Sequence, residues 1–424
     1  MRILFENAKL PGKPEQFVEV TGRSVTYIGN TRPAGCYDRI VNAKGKLMIP
    51  GLYNTHAHSA MSLFRGYGED MPLDKWLNTR IFPAEDKLTS EAVRAGSALA
   101  FAEMIRNGIV ACTDMYYFCG DIAEVAGEIG IKANIGRSIV SFDESADPEN
   151  DPRFLESKAL YEEYDGAFDG RIKIDMSLHA EYTNTERMTR KVADYCRDKG
   201  CGLQIHLSET KKEHEEGIAR RGRTPARFFY DCGIFDSRVT FAHCVWVSED
   251  DMDLLKNDNI FVAHNPSSNL KLGSGIMPLY AMLKKGINVT IGTDSAASNN
   301  TLDVFKETYL ASILEKARDL DPSLVKADEM FRLATFNGAM SQGRKDCGGI
   351  EVGKRADIVL VDLDTLNNIP SYNDHYTLLY SVSSRDVSFN MIDGRIVYEN
   401  GSFTTIDEEK VKYDVKRILV RYFD

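Results

Sequence analysis

The chain has 424 residues, 43% of them hydrophobic, and a formal net charge of −11 at pH 7. That length suits one large domain with a smaller one, and the acidic balance argues against nucleic acid or an anionic membrane as a partner. No apolar run approaches ~18 residues and no basic-then-apolar leader is visible, so the expectation is a cytoplasmic protein that neither spans a membrane nor is secreted.

In chain order, the first 48 residues carry short strand-like stretches, such as 17–20 and 24–29, split by Gly, Pro and Asn. Residues 356–362 and 387–398 look the same, the second with an Asp393-Gly394 turn signal between strand-like runs. Neither end is large enough to bury a core alone, so residues 1–48 and 350–424 are expected to form one small β-sandwich, with two unrelated tails as the competing reading. Between them, strand-like runs at 51–54, 109–113, 132–136, 172–178, 202–205, 239–242, 260–263 and 288–292 alternate with helical stretches, among them 90–107, 185–199 and 301–316. Eight such alternations over residues 49–349 predict an α/β fold, a (β/α)8 TIM-type barrel. A doubly wound open sheet is the competitor, but no G-x-G-x-x-G or G-K-[ST] follows a strand. The eight cysteines are scattered with no C-x-x-C pair and read as reduced thiols, not as a disulfide frame or zinc knuckle.

The predicted strands end in chemically loaded residues. The first runs into His56-Ala57-His58, the third into Arg137, the fourth into His179, the fifth into His206, the sixth into His243, the seventh into His264 and the eighth into Thr293-Asp294. Positions i and i+2 of a strand share a face, so His56 and His58 can reach one ion. One strand-end histidine is ordinary; most of a chain's histidines falling there is not, because barrel strand ends converge on one catalytic face. A metal site able to activate water needs three or four converging ligands. His56, His58, His206 and Asp294 supply three imidazoles and a carboxylate. Without thiolate these favour Zn²⁺, with Fe²⁺ or Mn²⁺ open to the same chemistry. No lysine ends strand four or five to bridge two metals, which argues for one divalent ion. A turn cap is the competing role for Asp294.

Pro50-Gly51-Leu52-Tyr53-Asn54-Thr55-His56-Ala57-His58, His206-Leu207-Ser208-Glu209, Ala242-His243-Cys244, His264-Asn265-Pro266-Ser267-Ser268-Asn269 and Gly292-Thr293-Asp294 resemble the amidohydrolase superfamily. Within it they are similar to the cytosine-deaminase and chlorohydrolase-like branch, and most narrowly to the 5-methylthioadenosine/S-adenosylhomocysteine deaminases. The resemblance covers nearly the whole chain. It implies the same four metal ligands and a hydrolase that deaminates adenine nucleosides or thioethers to the inosine analogue and ammonia. Metal-held hydroxide would attack C6, with Glu209 as proton shuttle to the ring nitrogen, Asp294 passing a proton to the departing ammonia, and His243 orienting the nucleophile and stabilising the tetrahedral carbon. A salt bridge to Lys211 or Lys212 is the other reading of Glu209. For His264, structural support is favoured over catalysis.

The long segment 59–88 is expected to cover the site, since loops beyond ~12–15 residues tend to be functional. In similar deaminases the glutamate matching Glu85 binds the ribose hydroxyls, the residues matching Arg137 and His179 touch substrate, and the arginine matching Arg153 receives a carboxylate tail. Trp76 can stack on a base or pack the cover. Two departures bear on the substrate: an acidic loop at 142–151, and Glu181 where relatives carry proline, which would add charge near the base or ribose. The alternatives are another amidohydrolase reaction on guanine, a pterin, cytosine or a chlorinated triazine, and a non-enzymatic barrel that binds a ligand. The partner is a small molecule; analogy with such barrels adds a homo-oligomer.

Overall fold

The structure, a computed structural model, describes residues 1–422. Nine strand segments build the barrel: β6 (Leu52–Ala57), β7 (Ile109–Tyr116), β8 (Lys132–Ile139), β9 (Ile172–Ile174), β10 (Met176–Leu178), β11 (Leu203–Leu207), β12 (Val239–His243), β13 (Ile260–His264) and β14 (Asn288–Ile291). They pair in parallel in the order β6-β7-β8-β10-β11-β12-β13-β14, with β9 extending β8's ladder. Closure comes from the Asp294 N–H, which donates to the His56 carbonyl at 3.0 Å, and from the Thr55 and Thr290 hydroxyls, 2.8 Å apart. β6, β7, β11, β12 and β13 are buried along their whole length, as helices on the outside and side chains inside a barrel require.

All eight expected strands are present, with two differences. The fourth is split at Asp175, whose buried carboxylate accepts from Asn134 Nδ2 at 2.9 Å and pairs with Arg238 at 2.7 Å, while its N–H still donates to the Ile135 carbonyl of β8 at 3.0 Å. And β6, β11, β12 and β13 run further than expected, so that His56, His206, His243 and His264 lie within the last rungs rather than beyond them. The helix expected over 301–316 is Val304–Asp319, because the Asp303 carboxylate caps it by accepting the Lys306 N–H at 3.2 Å.

The chain ends form a second sheet from β1 (Arg2–Lys9), β2 (Glu15–Thr21), β3 (Ser24–Gly29), β4 (Arg39–Asn42), β5 (Lys46–Pro50), β15 (Ile358–Asp362), β16 (Val387–Ile392), β17 (Arg395–Glu399) and β18 (Ser402–Phe403). Its path is β18-β17-β16-β15-β5-β1-β2-β3, with β4 on β1. Phe5 on β1 and Phe389 on β16 are three strands apart in that path, which in a flat sheet is ~14 Å, yet their rings stand 5.6 Å apart edge to face. The sheet therefore curls over itself into a sandwich around Ile3, Phe5, Val18, Ile358 and Phe389. At the predicted turn Asp393 and Gly394 both have positive φ, 49° and 73°, and a Cβ on Gly394 would meet the Gly22 carbonyl at 2.0 Å.

Lys132, at the base of β8, is 2% exposed and bridges Asp357 at 2.5 Å and Asp393 at 2.8 Å, locking barrel to sheet. The division into 1–48 with 350–424 and 49–349 is proposed on this architecture, with β5 crossing the first boundary and residues 423–424 outside those described. No helix among the described residues is long and apolar enough to cross a membrane.

Candidate metal centre and active site

Where the barrel strands end, three histidines from two strands face one carboxylate. Ligand atoms of His56, His58 and His206 lie within 4.8 Å of one another, as do those of His56, His243 and Asp294. Asp294 Oδ1 stands 3.2 Å from His58 Nε2 and 3.5 Å from His56 Nε2.

The far sides of the His58 and His206 rings are each fixed by an acceptor. His58 Nδ1 donates to the Met115 carbonyl at 2.5 Å, and His206 Nδ1 donates to the His179 carbonyl at 2.7 Å. A carbonyl only accepts, so the proton sits on Nδ1 and the Nε2 lone pair turns inward, the arrangement that metal-binding histidines use. Asp294 is divided the same way: Oδ2 accepts the hydroxyls of Ser268 at 2.5 Å and Ser298 at 2.9 Å, leaving Oδ1 for the centre. His56 Nε2 is buried with no hydrogen-bond partner among the described residues.

Charge placement agrees. Burial works against a proton on His58, but the facing Asp294 overrides it and lifts the imidazole to about 9. Burial pushes His56 down to about 4 and His206 further below its usual value. Asp294 is held well below the carboxylate range by His56 and His58 against its own burial. One positive charge among these groups is thus strongly favoured, and the donor set fits a divalent metal.

The backbone is strained at this rim. Ser208, His243 and Asp294 all have positive φ, 46°, 74° and 58°, which non-glycine residues adopt at a cost of ~1–3 kcal/mol each and keep where surrounding structure enforces it. Gly292 is required for close packing: a Cβ there would lie 2.3 Å from Asn265 Oδ1 and 3.0 Å from the His56 nitrogen.

Beside the cluster stand His243, itself within 4.8 Å of His56 and Asp294, and Glu209. Glu209 Oε2 is 3.9 Å from His243 Nε2, and Oε1 accepts the Ser274 hydroxyl at 3.3 Å. Burial raises the Glu209 carboxyl above its usual value. Lys211 and Lys212 pair with Glu215 and Asp74 instead, so the salt-bridge reading of Glu209 falls. His243 Nδ1 donates to Asn269 Oδ1 at 2.8 Å, which turns its Nε2 lone pair toward Glu209.

Both groups open on a cavity of about 720 Å³, including its mouth, which His58, His179, His206 and Asp294 also line. The segment after β6 covers it with Met61, Leu73, Trp76, Leu77, Ile81, Phe82 and Glu85. Burial lifts the Glu85 carboxyl to about 7, with Tyr116 beside it opposing the shift.

Arg137 and Arg153 do not line the cavity. Arg137 pairs with Glu156 at 2.7 Å and lies 5.0 Å from the ring centre of Tyr117, which does line it. Arg153 is 43% exposed and 3.9 Å from Asp151. His264 is also outside the lining; burial holds it neutral, down to about 3. The expected extra charge near the substrate is absent: Glu181 is fully buried, turned away and held by Arg220 at 2.6 Å and Arg221 at 2.7 Å. The acidic loop is likewise met from outside, Glu149 by Lys158, Lys191 also reaching it, and Asp147 by Arg187. The supporting residues Ser268, Ser298, Asn269 and Glu213 had no assigned role in the sequence; for Glu213 the signal was Thr210-x-x-Glu213 opening a helix, a capping pattern.

Residues 47–397 match the family model described as the amidohydrolase family. A 5-methylthioadenosine/S-adenosylhomocysteine deaminase of Thermoanaerobacter pseudethanolicus is 39% identical over 98% of this chain and 98% of its own. A 5′-deoxyadenosine deaminase of Methanosarcina acetivorans is 38% identical, covering 93% and 90%. Among solved structures, an adenosine deaminase from Xanthomonas campestris with bound zinc superposes with a TM-score of 0.94 at 29% identity, over 99% of this chain and 98% of that one. With this match, these relatives and a metal-fitting histidine–aspartate cluster at the barrel mouth, the chain belongs to the amidohydrolase family and is a hydrolase acting on C–N bonds.

Proposed function

We propose that the protein is a deaminase of adenine nucleosides and their 5′-thioethers, releasing ammonia from C6, with His56, His58, His206 and Asp294 holding one divalent metal, Zn²⁺ first. The observation that carries the reading is the meeting, in one covered cavity, of that four-residue cluster with Glu209, His243 and Glu85. The bound metal supplies Lewis acidity that makes water nucleophilic at neutral pH.

The remaining chemistry belongs to the side chains. Glu209, whose carboxyl burial raises above its usual value, donates to the ring nitrogen beside C6, drawing charge off the carbon under attack. Asp294 Oδ1 takes a proton from the attacking water and returns it to the leaving amine. His243, with Nδ1–H spent on Asn269, accepts a hydrogen bond from the water through Nε2 and orients it. Ionised Glu85 accepts the two ribose hydroxyls as a pair. Trp76, 4% exposed in the cavity wall, gives a flat apolar face for the base, and His179 also borders the cavity. Arg137 and Arg153, placed around Tyr117 at the rim, are the groups that a 5′ tail would meet.

The test is ammonia release from the zinc-loaded protein on adenosine, 5′-methylthioadenosine, 5′-deoxyadenosine, S-adenosylhomocysteine, guanine and cytosine in parallel. Turnover of the adenine compounds is expected. Turnover of guanine or cytosine alone would refute the ribose role of Glu85 and the nucleoside reading with it.

A further inference from the structure

Glu209 has little to hold its own side chain. Its one side-chain hydrogen bond among the described residues is the 3.3 Å contact from Ser274, so the aim of its carboxyl is set by its backbone. That backbone is gripped by a second carboxylate which no step above uses. Glu213, in the first turn of helix Lys211–Arg221, is buried. Its Oε1 accepts the Ser208 N–H at 2.9 Å and its Oε2 the Glu209 N–H at 2.8 Å.

The ring closes at the helix start. The Thr210 hydroxyl accepts the Glu213 N–H at 3.1 Å, fixing the residue that does the gripping. Ser208 is held at φ 46°, and its hydroxyl is tied to His214 Nδ1 at 3.2 Å. Two consecutive backbone N–H groups that would converge on an external anion are instead filled by an anion of the chain itself. Without it, Ser208 has no reason to keep a conformation that L-residues rarely adopt, and relaxing φ there would swing Glu209 away from His243.

We propose that Glu213 is the positioning residue for Glu209: its carboxylate clamps the Ser208 and Glu209 amides and so fixes the proton-carrying group against the base. The proposal rests on the deaminase reading above, because it concerns where Glu209 delivers its proton. Glu213 borders the same cavity, but both its carboxylate oxygens are occupied by these two amides, so it acts through Glu209.

The experiment is the single-turnover rate on 5′-methylthioadenosine, with KM alongside, for metal-loaded wild type, Glu213→Gln, Glu209→Gln and the double variant. Glutamine keeps the size but sets an NH2 against one of the two amides, so half the clamp is lost. Misplacement of a catalytic group by ~1 Å costs about a hundredfold, and a loss of that order is expected for Glu213→Gln with KM little changed. In the Glu209→Gln background the same substitution should cost nearly nothing, because its route of action is gone. The same loss in both backgrounds, or no loss in the wild-type background, overturns the proposal. Should Glu213→Gln fail to fold, amide exchange of the wild-type holoprotein decides: Ser208 and Glu209 should be as protected as the interior of β11, and exchange at the rate of an open loop overturns it. An inactive wild type would count against the deaminase reading instead, leaving the exchange measurement to judge the clamp.

Discussion

The imidazole of His206 is oriented by the backbone of His179, whose carbonyl accepts its Nδ1–H at 2.7 Å, while the His179 ring itself lines the cavity. One residue thus orients a histidine of the cluster through its main chain and lines the cavity through its side chain. His179→Ala is therefore expected to retain full metal content and to raise KM about tenfold, the usual scale for losing one hydrogen bond to a bound ligand. Metal analysis and steady-state kinetics on the same sample check both halves.

Ser268 acts on Asp294 from behind. Its hydroxyl is one of two that occupy Oδ2 and leave Oδ1 facing His56 and His58. Loss of such an outer partner typically weakens metal binding 10–100-fold. Ser268→Ala should do so in a chelator competition, with the fold unchanged by circular dichroism.

Glu85 gives a pH dependence with a fixed sign. Burial places its carboxyl at about 7, and only the ionised form accepts two hydroxyls. Affinity for the nucleoside should fall as pH drops through 7, so KM rises about tenfold between pH 8 and pH 6, in line with a single titration. In Glu85→Gln, KM should be high and flat over that range. A wild-type KM independent of pH there would exclude this role for Glu85.

Lys132 tests what holds the two sheets together. It is 2% exposed between Asp357 and Asp393. Removing one partner of a buried ion network leaves uncompensated charge and costs ~3–5 kcal/mol. Lys132→Met should lower unfolding stability by that amount in denaturant titration.

Much of this molecule was legible in the chain. Alternating short apolar runs gave all eight barrel strands, because strands buried on both faces must be continuously apolar. The Asp393-Gly394 turn was readable because two consecutive positive φ values admit few residue pairs. The histidines at strand ends pointed to the centre because barrel topology converts sequence spacing into spatial convergence. What stayed hidden depends on side-chain direction. Glu181 reads as charge beside the substrate, yet Arg220 and Arg221, about forty positions later, draw it away. The residue matching Arg137 touches substrate in similar deaminases, and the sequence did not show that Glu156 would pair with its guanidinium outside the cavity lining. The split of the fourth strand was invisible because Asp175 finds Arg238 only after folding.

The proposed division of labour gives the proton to Glu209 and the metal to the four-residue cluster, each independently of the other. It is tested most directly by measuring metal content and ammonia release from 5′-methylthioadenosine on the same preparations of wild type and Glu209→Gln. One divalent ion per chain is expected in both, with turnover in the wild type that falls by at least about a hundredfold in the variant, the scale of general acid–base catalysis. Full metal content with wild-type turnover in Glu209→Gln would contradict it.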